Sequence, residues 1–380
     1  MAVIFNIQES VKNSAFNILQ EPIKMMLQNE TEAFEKDSII NKVYVVESMD
    51  SFQEEYRSTT AMDGFKPTED MEVAGLSDFE ESYNAVFRTQ TWTNSFVVSL
   101  QTIEDNQLAQ ISPKALGFIK GYGRTRERYA VAMLGAALGT VTEFEGKPVK
   151  GKSYDTTDGS LDGTKQQYFH NQHKAAGYNK DNTRPVQSNR FYTTRDLTND
   201  LNDQGSGVEE IILDVIGQVE SIMHKYKDDK GNIVPVNPTR IIMGSNYKLK
   251  DALIRGLKSR YGSAMAGNGI NTQYGKWEIV ESPYLSDISG FGDTDLGIII
   301  LDPERNREGK GAVWKDRKPL TIKSYVNDDN DANIWKGRAR FGVNFADWRA
   351  MAYINFKGTA TNGTPITPKT AMVYKTKAQS

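Results

Sequence analysis

One long helix constrains this chain more than any other feature. Ser112 can cap it and Pro113 takes the first helical position, where a missing N–H costs nothing. The pattern then predicts helix to about Thr140, roughly 42 Å at 1.5 Å per residue. Leu116, Ile119, Tyr122, Tyr129, Met133, Ala137 and Val141 form its apolar side. The same stretch contains Gly117, Gly121, Gly123, Gly135 and Gly139. Each interior glycine weakens a helix by about 1 kcal/mol relative to alanine, roughly 5 kcal/mol in all. Propensity cannot hold such an element, so close packing must, and glycine is what allows neighbours to come near.

The remaining chain divides around this helix. Residues 1–48 read as an arm with short helices leading into a strand. The segment 51–90 is polar and extended, and the chain returns through an alternating strand, Thr93 to Ile103. Between Lys150 and Arg190 the aliphatic residues are only Leu161 and Val186, which predicts a long surface excursion held by aromatic anchors such as Tyr168 and Phe169. Ser206 to Glu209 matches a capping box, followed by helical spacing from Val208 to Tyr226. Further on come a strand at Arg240–Met243 and a helix at Ser245–Ser259. Strands are predicted at Trp277–Val280, Leu296–Leu301, Ala312–Trp314 and Leu320–Val326. Ile334–Phe345 and Trp348–Phe356 read as a hairpin turning at Asn344–Asp347. No internal repeat is present.

Composition excludes several classes of function. With 46 Lys plus Arg against 49 Asp plus Glu, the chain carries a formal charge of −3, which argues against wrapping nucleic acid and leaves only local or weak contact. Zero Cys removes disulfides, thiolate metal sites and Cys nucleophiles. The start lacks the features of a signal peptide, and the uncharged run Tyr129 to Thr142 is too short to cross a bilayer, so a soluble protein without a membrane partner is expected. His170 and His173 have a spacing that suits a metal, but the only other histidine is His224, so loop histidines are the expectation. Gly121-Tyr-Gly123 starts like a dinucleotide fingerprint, but Arg126 stands in the third glycine's place inside a helix. Neither a phosphate-binding glycine loop with Lys and Ser or Thr nor a Gly-x-Ser-x-Gly elbow occurs. No catalytic residue, cofactor or metal is assigned. An enzyme remains only as a remote alternative, a two-domain metal-dependent one built on the His170 loop.

Charge is unevenly distributed. Residues 51–90 hold nine acidic residues against Arg57, Lys66 and Arg88, a net of −6. Residues 113–141 hold Lys114, Lys120, Arg124, Arg126 and Arg128 against Glu127, a net of +4. Lys120, Arg124 and Arg128 fall on one helical stripe, and Lys336, Arg338 and Arg340 share one strand face. A solvated surface explains such stripes as readily as a function. The alternative is docking of the acidic segment, through Glu69, Asp70, Glu72, Glu80 and Glu81, on one of these basic faces, within the chain or between copies.

The order of elements carries a resemblance. An arm, an extended acidic segment, a strand ending in Thr102-Ile-Glu-Asp105 and a long helix rich in Gly and Arg resemble the major capsid proteins of tailed bacteriophages of the Hong Kong 97 type. The passage Lys227 to Met243 with its following helix is similar to the axial domain of that family. Glu281 to Asp287 and Ala339 to Arg349 are similar to its late strands, and Tyr168 to His173 is similar to the Mu-type head proteins.

The resemblance implies an α+β Hong Kong 97-like capsid fold. It divides the chain into an N-terminal arm (1–48), an extended loop (49–98) and a peripheral domain with spine helix and terminal hairpin (99–145 and 326–357). A polar excursion (146–196), an axial domain (197–325) and a C-terminal tail (358–380) complete it. It implies a structural protein forming hexamers and pentamers of an icosahedral shell around double-stranded DNA, in a virion assembled in the bacterial cytoplasm. Portal, scaffold and decoration proteins are its implied partners. Because the extended loop begins by about residue 50, a fused scaffolding segment is not expected. In some relatives Lys–Asn isopeptide bonds join subunits; Lys66 is the sole lysine of the loop, and no partner for it is identified. The alternative of the same fold is an encapsulin-like compartment shell.

Overall fold

The computed structural model describes residues 4–7, 25, 38–59, 81–99, 101–102, 108–152, 167–174, 186–203, 207–228, 230–259, 271–292, 294–327, 332–358 and 363–368. In chain order the strands and helices are β1 (Ile4–Ile7), α1 (Ile39–Val43), β2 (Val45–Ser48), β3 (Gln53–Thr59), β4 (Glu81–Arg88), β5 (Gln90–Ser99) and α2 (Leu108–Leu138). Two short ribbons follow, β6 (Glu143–Phe144) with β7 (Lys147–Pro148) and β8 (His173–Lys174) with β9 (Val186–Gln187). Then come β10 (Arg190–Thr193), α3 (Thr198–Asp203), α4 (Val208–Met223), β11 (Arg240–Met243), α5 (Tyr247–Lys258), β12 (Glu278–Glu281) and β13 (Gly297–Leu301). The last elements are α6 (Pro303–Gly309), β14 (Ala312–Asn327), β15 (Ala332–Phe345), β16 (Met351–Asn355) and β17 (Thr364–Ile366).

The chain forms two compact units. The first comprises Met1–Glu54, Val86–Ala130 and Val313–Val343, and the second Glu55–Ala85, Val131–Ala312 and Asn344–Ser380.

The first unit is a helix packed on a sheet of order β1-β14-β15-β5, with β2 also pairing to β14. Alternation in β15 puts Trp335, Gly337, Ala339, Phe341 and Val343 inward, as the period-2 pattern predicts. Rings fill the space beneath α2: Phe118 meets Phe96 at 5.3 Å, and Tyr129 meets Trp92 at 5.2 Å and Phe341 at 5.9 Å. Gly337 makes this approach available, since a Cβ there would lie 2.4 Å from Phe118. The strands expected at Ala312–Trp314 and Leu320–Val326 are one, β14. Its Pro319 falls between the stretch that pairs with β2 (Val313–Asp316) and the stretch that pairs with β1 (Thr321–Ser324), so it interrupts neither of those two ladders.

The second unit is built on a sheet of order β12-β11-β13-β16-β10-β17. Every residue of β13 and β16 is buried, as expected of central strands covered on both faces. Helices α4 and α5 pack closely at Gly256, where a Cβ would come within 3.2 Å of Leu213.

Three local expectations are corrected. The long helix begins at Leu108, so Pro113 lies inside it and Ser112 is not its cap. It stops at Leu138 because Gly139, at φ +81, closes a Schellman motif with Gly139 N donating to Ala136 O and Thr140 N to Gly135 O. The N-cap of helix α4 is Gly207, in the left-handed region with no side-chain bond, and Ser206 of the expected capping box lies outside the described residues. The terminal hairpin is absent: β15 pairs with β5, while β16 pairs with β13 and β10 in the other sheet. A 3-10 turn, Trp348–Ala350, intervenes, and the buried Asp347 carboxylate caps it at Arg349 N while pairing with Arg305 and Arg349.

Candidate functional site

Surface charge gathers on the first unit. Along α2, Lys114, Lys120, Arg124 and Arg128 are exposed. Their neighbours Arg126 and Glu127 are not, although both belong to the basic stretch of the sequence. The Arg126 guanidinium lies over the rings of Trp314 (5.0 Å), Tyr122 (5.6 Å) and Phe341 (5.7 Å) and pairs with Asp316 at 3.3 Å. Glu127 accepts from Ser38 Oγ and from Ile39 N, holding α1 on the long helix. Burial pushes its carboxyl above the ordinary range against the lowering effects of Ser38, the Ile39 N–H, Arg126 and Lys42. The spacing of the stripe was legible in sequence; the burial of Arg126 was not, because the rings and the carboxylate that cover it, Trp314, Phe341 and Asp316, come from strands far along the chain.

On β15, Lys336 and Arg338 are exposed, and Arg340 is half-buried with its Nε donating to Thr91 Oγ1 at 2.9 Å. They face away from α2, because Trp335, Gly337 and Phe341 of opposite parity face it. Strand pairing sets Lys336 opposite Ser95, Arg338 opposite Thr93 and Arg340 opposite Thr91. Two further cations from β14, Lys318 and Lys323, join Lys336 and Arg338 around a groove of ≈ 780 Å³. Sequence reasoning missed them, since nothing local tells which strand becomes the neighbour of β15. The two basic stripes therefore occupy opposite faces of one two-layer unit.

Of the acidic residues, Glu69, Asp70, Glu72 and Glu80 lie outside the described residues, as does the side chain of Glu81 at the start of β4. The root of this segment is held by Lys315, 3% exposed, whose Nζ pairs with Glu47 at 2.7 Å and Glu54 at 2.8 Å.

The His170 loop serves packing. His173 is buried and stacks on Trp348, centroids 4.3 Å apart and 6° from parallel, with its Nε2 2.9 Å from Asn189 Oδ1. Asn189 Oδ1 also accepts from His170 N, and its Nδ2 donates to Tyr168 O, Trp348 O and Met351 O. Tyr168 and Phe169, the expected anchors, are fully buried. Among the described residues no three His, Cys, Asp or Glu side chains cluster as a metal site, and no helix is long and apolar enough to cross a membrane.

Comparison with known proteins bears on the chain as a whole. Residues 83–354 match the family model described as phage capsid protein. No curated protein matches. Among solved structures the chain is similar to the capsid of cyanophage P-SCSP1u (11% identity, 82% of this chain and 86% of that one, TM-score 0.47). It is likewise similar to the capsid of Myoviridae phage XM1 (10%, 82% and 88%, 0.47) and to a virus-like particle from Pyrococcus furiosus (10%, 88% and 98%, 0.41).

Proposed function

Because the chain belongs to the phage capsid protein family, we propose that this capsid shell subunit is of the Hong Kong 97 type, closing as hexamers and pentamers into an icosahedral head around double-stranded DNA. The observation that carries the reading is the family match over residues 83–354, which takes in both compact units. A structural rather than enzymatic role follows from it, with the virion capsid as the place of action. Assembly in the host cytoplasm, and portal, scaffold and decoration partners, belong to the proposal. So does the division into arm, extended loop, peripheral domain without the terminal hairpin, polar excursion, axial domain and tail.

Shell closure needs contacts between copies, and charge supplies a rule for one of them. The acidic segment 51–90 of one copy docks on a basic helix or strand face of its neighbour. The exposed Lys120, Arg124 and Arg128 support the helix face, and the open space above Gly117 and Gly121, where an added Cβ meets nothing within 4 Å, lets a polypeptide backbone lie close.

Electron microscopy of the purified full-length chain is the test of the shell. Icosahedral particles that package DNA support the phage head, and particles loaded with protein cargo support an encapsulin-like compartment. Failure to assemble under any condition refutes both. For docking, Lys120, Arg124 and Arg128 are changed to Glu, with particle yield and the circular dichroism of the subunit as readouts. A folded variant that assembles at the normal yield refutes the docking.

A further inference from the structure

Two cationic faces on opposite sides of one unit pose a question of stoichiometry. A copy has one acidic segment, and a segment lying on one face of a neighbour leaves the other uncovered. We infer that the groove on the sheet face, between β14, β15 and β5, is a contact site for the phosphate backbone of nucleic acid. This rests on the reading of the chain as a shell subunit, and adds to it which surface meets the packaged polymer.

The groove is built for phosphate in three ways. Four exposed cations, Lys318, Lys323, Lys336 and Arg338, line it, and among the described residues none that lines it is acidic. Hydroxyls from Thr91, Thr93 and Tyr325 line the groove with those cations, the mixture of Lys or Arg with neutral hydroxyl donors that binds phosphate oxygens without reading bases. It is also supported rigidly. Leu320, Ile322 and Ser324 of β14 and Trp335 and Ala339 of β15 are buried on the reverse side, so the cations project from a packed sheet.

The helix face fits the same polymer less well. Its cations flank Gly117 and Gly121, a surface bare of side-chain hydroxyls at those positions, which favours close approach of a polypeptide backbone. Four cations are too few for tight binding, in keeping with a net charge of −3 over the whole chain. Contact is therefore weak and sequence-independent, with Kd on the order of 10⁻⁵ M.

The test measures binding of a short fluorescent DNA duplex to the full-length chain, kept unassembled by dilution, across a sodium chloride series. Each phosphate neutralised contributes about −0.9 to the slope of log K against log salt, so four contacts give about −3.6. Lys323→Ala with Lys336→Ala should reduce the slope to about −1.8. Lys318→Ala with Arg338→Ala should do the same, and serves if the first pair does not fold. Lys120→Ala with Arg124→Ala should leave it unchanged. An unchanged slope in both groove pairs overturns the inference, as does a loss confined to the helix pair. Displacement of the duplex by a peptide of residues 51–90 also overturns it, and gives the groove to a second copy. Electron micrographs of the same preparations separate the two levels. Groove variants that still form shells while binding is unaffected sink this inference alone, whereas a wild-type chain without particles sinks the shell reading.

Discussion

Replacing Asn189 with Ala should be among the most damaging single changes in the second unit. The side chain is fully buried and makes five contacts. Oδ1 accepts from His170 N and faces His173 Nε2, both at 2.9 Å. Nδ2 donates to Tyr168 O at 2.9 Å and to Trp348 O and Met351 O at 3.2 Å each. Two amide protons serve three carbonyls, so the set is worth about four hydrogen bonds, at about 1 kcal/mol net apiece. Truncation also strands buried acceptors, which costs more than the net value of a bond, although some relax toward other donors. A loss of about 3–5 kcal/mol follows, or a melting point lower by roughly 10 °C for a unit of this size. Differential scanning calorimetry of the unassembled chain measures it. Asn189→Asp sharpens the test, because a carboxylate keeps the acceptors and loses both donors. It should be at least as destabilising as Ala at neutral pH. Burial and three facing carbonyls raise the folded pKa of that carboxyl above its unfolded value, so stability should recover as pH falls through the folded value. An Ala variant within about 1 kcal/mol of wild type would refute the account, since that is the worth of a single exposed bond.

Other expectations follow from the same geometry. Asp347 is raised by burial but held below the ordinary carboxylate range by Arg349 and Arg305, so its stabilisation is complete above the unfolded value of about 3.9 and is lost as pH falls through the lower folded value. Asp347→Asn should therefore lower the melting point at pH 7 and flatten its acid limb; parallel curves for the two proteins would contradict this. Glu127 has the opposite sign, its carboxyl being raised, so the folded state favours its neutral form. Glu127→Gln can accept from Ile39 N and donate to Ser38 Oγ, and should match or exceed wild-type stability at pH 7, with the advantage shrinking on acidification; a clear loss at pH 7 would count against it. Gly151→Ala would set a Cβ 2.0 Å from Ala137 N, so it should unfold the second unit or force the chain off the helix, seen as loss of near-ultraviolet circular dichroism. Arg126→Met keeps the bulk beneath Trp314 and removes the 3.3 Å ion pair to the 12%-exposed Asp316 side chain, and a loss of about 1–3 kcal/mol in chemical unfolding is expected.

Patterns with a short period were legible in the residues alone. The inward set of β15, the helical face of α4, strand β11 and the burial of Tyr168 and Phe169 follow from alternation, 3.6-residue spacing and aromatic content, each a property of a few neighbouring residues. The basic stripes were legible for the same reason, as positions. What they face was not. Arg126 and Glu127 look like surface charge until a sheet and a short helix close over them. Lys318 and Lys323 join Lys336 and Arg338 only because β14 runs beside β15. The terminal hairpin failed on the same ground: the turn was short enough, but a buried Asp347 with two arginines and a 3-10 turn send the chain into another sheet. Local periodicity determines which side chains share a face, because backbone geometry repeats over two to four residues. Which faces meet depends on strand neighbours far apart in the chain, and that choice was made only by tertiary packing, where burial energy of both partners is settled together.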